Sequence, residues 1–371
     1  MQTTAAVLRE IGTPLRLEEV ELLPPGPREV RLRMVSSGVC HSDLHIVQGH
    51  IPVNLPIICG HEGAGVVEEV GSAVTRAEPG DHAVLSWVSA CGMCRYCATG
   101  RPALCETAIG PSYAGHLTDG TSRFRDGDGN PISHHLMISS FARDVVVPEG
   151  GVVVVPADVP LAPLAVVGCA VATGIGAAVN TARVELGDVV AVVGCGGVGL
   201  NAIQGAALRG AGRIIGVDVS GEKLEFARRF GATDTLLAEG TDFTDALVEM
   251  TGGDGVDIAI EAIGNPETLA SAYRALRRGG TAVGVGIAPY GSHVAIDMGM
   301  MLDERNLLGC YYGSLRPSVD IPRYVELYRR GRLLVDELIT AEIRHDQIDE
   351  AFGWFEDGTG LRSLVRYGDD S

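Results

Sequence analysis

Three features of the chain predict a two-part α/β fold, an irregular β-rich half joined to a doubly wound parallel sheet. Its 371 residues exceed one typical core, so two domains are expected. Up to about residue 150, short β-rich runs alternate with turn residues such as Pro24-Pro25-Gly26-Pro27 and Glu78-Pro79-Gly80-Asp81. From Asp188 onward strand and helix patterns alternate strictly, the signature of a parallel sheet covered on both faces.

The first half reads as strands at 5–9, 28–35, 65–70, 82–87 and 144–147. Residues 107–140 form a polar, Gly- and Asp-rich excursion around Asp126-Gly127-Asp128-Gly129-Asn130, long enough for a functional loop. The second half reads as strands at 189–193, 214–217, 235–237, 256–260, 281–285 and 307–311. Helices are expected between them at 198–209, 222–230, 245–250 and 266–277. Helices at 321–330 and 346–356 follow, and a last strand at 363–367 is expected to return to the first half. Two uncharged stretches, 159–182 and 189–208, are long enough to span a membrane. Their prolines, glycines, Asn201 and Gln204 fit buried segments of a soluble domain better. The net charge of −18 argues against nucleic acid or an anionic membrane surface as partner, and a cytoplasmic location is expected.

Gly194-Cys195-Gly196-Gly197-Val198-Gly199 lies between the first strand and first helix of the α/β half. In that context Gly194 turns the chain, Gly196 lets the backbone approach a pyrophosphate, and Gly199 permits close helix–strand contact. The helix N-terminus then attracts the phosphates. Nineteen residues beyond Gly199, Asp218 ends the second strand, where a carboxylate can hold ribose hydroxyls and repel a 2′-phosphate. No arginine follows until Arg228, so NAD is expected over NADP. Lys223, the only lysine among 29 basic residues, is one helical turn further on and could reach the same ribose.

Four cysteines crowd into fifteen residues as Cys91-x2-Cys94-x2-Cys97-x7-Cys105. Such spacing suits a closed tetrahedral zinc site that shapes a loop and does no chemistry. Iron–sulfur and disulfide readings compete with it. The last gap is longer than in bacterial ferredoxins and no proline follows Cys105. The length and the absence of a cationic, apolar leader pattern disfavour disulfides. Cys40, Cys59, Cys169, Cys195 and Cys310 remain, and by spacing alone nothing groups Cys40 and Cys169 with His61.

Taken together, these motifs resemble those of the zinc-dependent medium-chain alcohol dehydrogenases. The likeness runs through Gly38-Val39-Cys40-His41-Ser42-Asp43-Leu44-His45, Gly60-His61-Glu62, the four-cysteine lobe, Gly168-Cys169, the glycine motif and Asp218. It implies a GroES-like catalytic domain (1–168 and 313–371) and a Rossmann NAD-binding domain (169–312). Cys40, His61 and Cys169 would bind a catalytic zinc with an open fourth position. Glu62 would stand beside it, as a neighbour of its ligands or as a transient ligand itself, and Asp43 would orient the histidine. Ser42 and His45 would relay a proton through the nicotinamide ribose. His41 and Arg362 would lie near the pyrophosphate, and Thr173 and Val198 beside the nicotinamide.

The resemblance also implies an NAD-linked, reversible oxidation of a primary alcohol to its aldehyde, with one catalytic and one structural zinc per chain. Trp87 and Ile51 would line the inner substrate pocket, His135 and Leu136 the outer one. The indole favours an apolar or aromatic alcohol, and the long loop favours a homodimer over a tetramer. Rival readings are a thiol-dependent formaldehyde dehydrogenase, a nicotinoprotein with permanently bound NAD, and a non-catalytic NAD-binding protein on the same fold.

Overall fold

The computed structural model describes residues 1–368. It divides into two compact units, Met1–Cys169 with Arg316–Ser371, and Ala170–Leu315. The boundaries differ slightly from those expected, and the differences have local causes. Cys169 joins the first unit because it leaves helical geometry (φ −134°, ψ −77°) between the turns of Ala162–Gly168 and helix Ala170–Gly176. Residues 313–315 stay with the second unit, where Asn180 donates to the Gly313 carbonyl at 3.1 Å.

The first unit is built around strand Glu29–Val39, whose Val30, Leu32 and Met34 alternate into the core. Its sheet runs Val152–Val155, His82–Leu85, Glu62–Val70, Glu29–Val39, Arg362–Arg366, Ile339–Ile343, and Asp144–Pro148 also pairs the central strand. The C-terminal strand pairs antiparallel to it, Ser363 opposite Val39. A separate closed barrel joins Gln2–Leu8, Arg16–Leu22, Phe124–Arg125, Pro131–His134 and Ile57–Ile58.

The excursion at 107–140 is therefore more ordered than expected. It holds most of helix Glu106–Ala114 and two barrel strands. Asp126 accepts from the Asp128 and Asn130 backbone N–H groups and closes the hairpin between those strands.

The second unit is a six-stranded parallel sheet in the order Asp234–Leu237, Arg213–Asp218, Val189–Val193, Val256–Glu261, Leu276–Gly284, Asn306–Gly309. Helices Gly197–Arg209, Gly221–Arg229, Thr244–Met250 and Pro266–Arg274 connect its strands. Ala191, Val193, Ile215, Val217 and Ala259 pack with Leu247 and Tyr273 in its core. The fourth helix stops three residues earlier than expected, because Leu276 pairs with Val256 and starts the next strand. Strand order reverses beside Val189–Val193, which opens a crevice at the carboxyl ends of the strands. Among the described residues no single helix is long and apolar enough to cross a membrane.

Candidate active site

Four buried side chains of the first unit converge: the ligand atoms of Cys40, His61, Glu62 and Cys169 all lie within 4.8 Å of one another. Strand pairing and one short helix bring them together. Cys40 caps helix His41–Val47 directly after the central strand, and Glu62 opens the neighbouring strand opposite Gly38. A Cβ on Gly38 would stand 2.0 Å from Glu62 Oε2, so a larger residue there would displace that carboxylate.

Asp43, wholly buried, organises the cluster. Its Oδ2 accepts from the Cys40 N–H at 3.3 Å, and its Oδ1 accepts from the Gly60 N–H at 2.9 Å. His61 Nδ1 lies 3.1 Å from that same Oδ1, which turns Nε2 toward the sulfurs. Burial would push the Asp43 carboxyl up, but His61 and His135 outweigh it and hold it well below the usual range.

Arg362 is expected among the pyrophosphate residues, and the structure adds it to this cluster. It is buried, with Nη2 3.6 Å from Cys40 Sγ and Nε 3.5 Å from Glu62 Oε1. The pairing of the C-terminal strand with the central strand puts it there. Burial pushes the Glu62 carboxyl up to about 7 even though Arg362 pulls the other way. Cys169 acts first on Cys40, and with Arg362 and His61 it brings that thiol well below its ordinary value despite burial. The Cys169 thiol is driven up in turn, first by Cys40 and then by burial. Two buried sulfurs that cannot both ionise alone, an imidazole with its donor nitrogen already held, and a carboxylate fit a divalent zinc ion.

A second cluster, Cys91, Cys94, Cys97 and Cys105, also gathers its sulfurs within 4.8 Å. Cys94 Sγ and Cys105 Sγ are 3.9 Å apart, against about 3.8 Å for the edge of a zinc–thiolate tetrahedron with 2.3 Å bonds. All nine cysteines are free, so the disulfide reading falls. A cluster of several irons would spread four thiolates further than this. Cys91 Sγ accepts from the Met93 and Cys94 N–H groups, and Cys105 Sγ accepts from the Cys91 N–H.

Around the first cluster, Ser42 Oγ lies 3.7 Å from Cys40 Sγ. His45 is half-buried on the same helix, and exposed His41 packs its ring 5.5 Å from that of Phe355. Ile51, Trp87 and Leu136 are half-buried. His135, expected in the outer pocket, lies beside His61 and Asp43. It is buried, its ring 5.1 Å from that of His61 and its Nδ1 3.0 Å from Asp43 Oδ1, and burial lowers its proton affinity although Asp43 pulls the other way. Positive φ at Leu136 (51°) and Met137 (61°) bends the chain there. The sequence reading missed this neighbour of Asp43, and it gave no role to His50, whose Nδ1 lies 3.1 Å from His45 Nδ1. The adjacent pair His134-His135 was the available signal, but only His135 faces Asp43. His134 is buried against Phe124, and burial, followed by Arg123, takes it down to about 3.

In the second unit Gly194 (φ 88°) ends strand Val189–Val193, and Gly196 caps helix Gly197–Arg209. A Cβ on Gly199 would stand 1.8 Å from the Gly194 carbonyl oxygen, whereas one on Gly196 would meet nothing within 4 Å. The loop is thus tight on its protein side and open on the other, as a bound pyrophosphate requires. Asp218 accepts from the Cys195 N–H at 2.8 Å and the Ser220 N–H at 2.9 Å, one on each oxygen, leaving lone pairs for ribose hydroxyls. Lys223 and Val198 are half-buried, and Thr173 Oγ1 is buried with no hydrogen-bond partner among the described residues.

Residues 197–330 match the family described as zinc-binding dehydrogenase, and residues 26–157 match the alcohol dehydrogenase GroES-like domain. A Mycobacterium tuberculosis protein provisionally named alcohol dehydrogenase D is 39% identical over 98% of this chain and 100% of its own length. Among solved structures, an alcohol dehydrogenase zinc-binding domain protein from Burkholderia ambifaria superposes with a TM-score of 0.94 at 36% identity, covering 99% of each chain. Benzyl alcohol dehydrogenase from Acinetobacter calcoaceticus gives 0.92 at 33% identity, covering 99% of this chain and 100% of that one.

Proposed function

The chain belongs to the zinc-dependent medium-chain alcohol dehydrogenase family, and from that premise we propose that it oxidises an apolar or aromatic primary alcohol to the aldehyde, reversibly, with NAD. It is an oxidoreductase whose cofactors are zinc and a nicotinamide dinucleotide. The observation that carries the finer reading is the meeting of Cys40, His61 and Cys169, three ligands that leave a fourth zinc position for substrate. We assign the catalytic zinc to them, with Glu62 beside it, and a structural zinc to Cys91, Cys94, Cys97 and Cys105. Residues 194–199, Asp218, Lys223 and Thr173 are assigned to the dinucleotide.

When bound, zinc supplies Lewis acidity toward the substrate oxygen, and the dinucleotide exchanges the hydride. The protein's own groups do the rest. Asp43 fixes the tautomer of His61. Ser42 takes the hydroxyl proton as general base, and His45 lies on the path that carries it outward. Arg362 offsets the negative charge of Cys40 and Glu62. Burial of the ligand set keeps bulk water from the metal.

The aromatic preference draws on Trp87 and on the 33% identity to a benzyl alcohol dehydrogenase. NAD is preferred because Asp218 would repel a 2′-phosphate. A second copy of the chain would pair with edge strand Asn306–Gly309, where Leu307 and Leu308 are exposed beside Met298, Met301 and Leu302. Leu308→Arg should then convert a dimer to a monomer in sedimentation velocity.

The test is kcat/KM for benzyl, terpene and aliphatic alcohols with NAD and with NADP, plus formaldehyde with and without a small thiol. Benzyl-type alcohols with NAD should rank first. A strict thiol requirement with formaldehyde, or preference for NADP, would sink the corresponding part of the reading.

A further inference from the structure

We infer that His50 is the outlet of the proton path through His45, carrying the proton from that half-buried imidazole to bulk water; this rests on the relay assigned to His45 above. Helix His41–Val47 ends at Gln48, and Gly49 (φ 75°) reverses the chain. The His50 N–H donates to the His45 carbonyl at 2.8 Å, which holds the two residues together through the backbone. Their side chains then meet with Nδ1 atoms 3.1 Å apart and ring centroids 5.3 Å apart. At that separation one Nδ1 donates and the other accepts.

The surroundings suit a conduit. His50 is exposed and His45 half-buried, so the pair runs from protein toward water. The His41 ring also lies near His45, centroids 5.1 Å apart. Burial, then His41 and His50, lowers the proton affinity of His45, while Cys40 opposes them, so a proton arriving there is not trapped.

The transfer balances. A proton added at His45 Nε2 is matched by the Nδ1 proton leaving for the lone pair of His50 Nδ1, and His50 releases its Nε2 proton to water. One proton enters and one leaves, no electrons move, both rings end neutral, and exchange with solvent restores the starting tautomers. A lone half-buried imidazole would have to wait for a water to reach it.

The experiment is a single turnover of alcohol oxidation on the zinc- and NAD-loaded protein, following proton release with a pH indicator and hydride transfer by nicotinamide absorbance. His50→Gln should slow proton release about threefold to tenfold, less than the full loss of a general base because water can partly substitute. Zinc content and Tm should not change, and added imidazole should restore the rate. Slowed release in His45→Gln with full speed in His50→Gln overturns this inference alone. Full speed in both overturns the relay reading beneath it. Slowing in His50→Gln that imidazole fails to restore marks a structural role and also overturns the inference.

Discussion

Two sulfur-bearing clusters of the same unit show how differently one chain can build a metal site. The four-cysteine cluster draws its ligands from fifteen consecutive residues, and Cys91 and Cys97 remain partly exposed. Backbone N–H groups of the same loop satisfy two of its sulfurs. The other cluster draws on residues 40, 61, 62 and 169, is wholly buried, and depends on Asp43 and Arg362 for its charge balance. A local loop can saturate an ion with its own donors and thereby hold its shape. Under the assignment proposed above, three ligands imported from distant segments hold the ion with Glu62 beside it, which leaves a position for chemistry.

That contrast can be broken most directly at the buried cluster. Cys40→Ala or His61→Ala should lower kcat by about a thousandfold or more, as expected when several kcal/mol of Lewis-acid stabilisation is lost. Tm should change little by comparison. A variant that keeps most of its turnover would end the catalytic assignment. Cys94→Ala should show the opposite balance. Its Tm should fall by about 10 °C and its zinc content by one ion per chain, while residual folded enzyme keeps its kcat. Unchanged thermal stability would refute a structural role for that loop.

Asp43→Asn sharpens the difference by leaving every ligand in place. Zinc affinity at the buried cluster should fall about 10- to 100-fold in chelator competition, with no change at the four-cysteine cluster. Equal loss from both would show that Asp43 acts on the fold rather than on His61.

The smallest effect calibrates buried against exposed electrostatics. Arg213 brings the Asp234 carboxyl in the second unit down from 3.8 to about 2. A depressed folded-state pKa stabilises the protein above the unfolded value, and this is lost as pH falls through the folded one. Arg213→Ala should therefore lower Tm slightly above pH 4, with the difference from the parent vanishing toward pH 2. A Tm gap that persists at pH 2 would mean that Arg213 acts through packing, for example through its contact with the Met250 carbonyl.

Legibility in the sequence followed the range of the interactions. In the parallel sheet, Val189–Val193 and helix Gly197–Arg209 could be read almost to the residue, because apolar periodicity and glycine punctuation are local. Barrel strands Ile57–Ile58 and Phe124–Arg125 could not, since two residues carry no periodic pattern and exist as strands only through their partners. At the buried cluster, family likeness named Cys40, His61, Glu62 and Cys169, which spacing alone left unconnected. The nearness of His135 to Asp43 was not legible, because a position in a loop does not reveal which way its side chain turns, and Asp43 lies 92 residues away in the chain.

By itself the sequence determined the alternation of strands and helices, the glycine turn before an acidic strand end, and the four-thiolate loop, because each is specified by neighbours within a few turns of chain. Only the tertiary structure decided that Arg362 joins Cys40 and Glu62, that His135 approaches Asp43, and that His50 touches His45. The first two depend on strand register and loop direction, where a shift of one residue sends a side chain to the opposite face. The third depends on a single glycine reversal, whose outcome is a matter of geometry rather than composition.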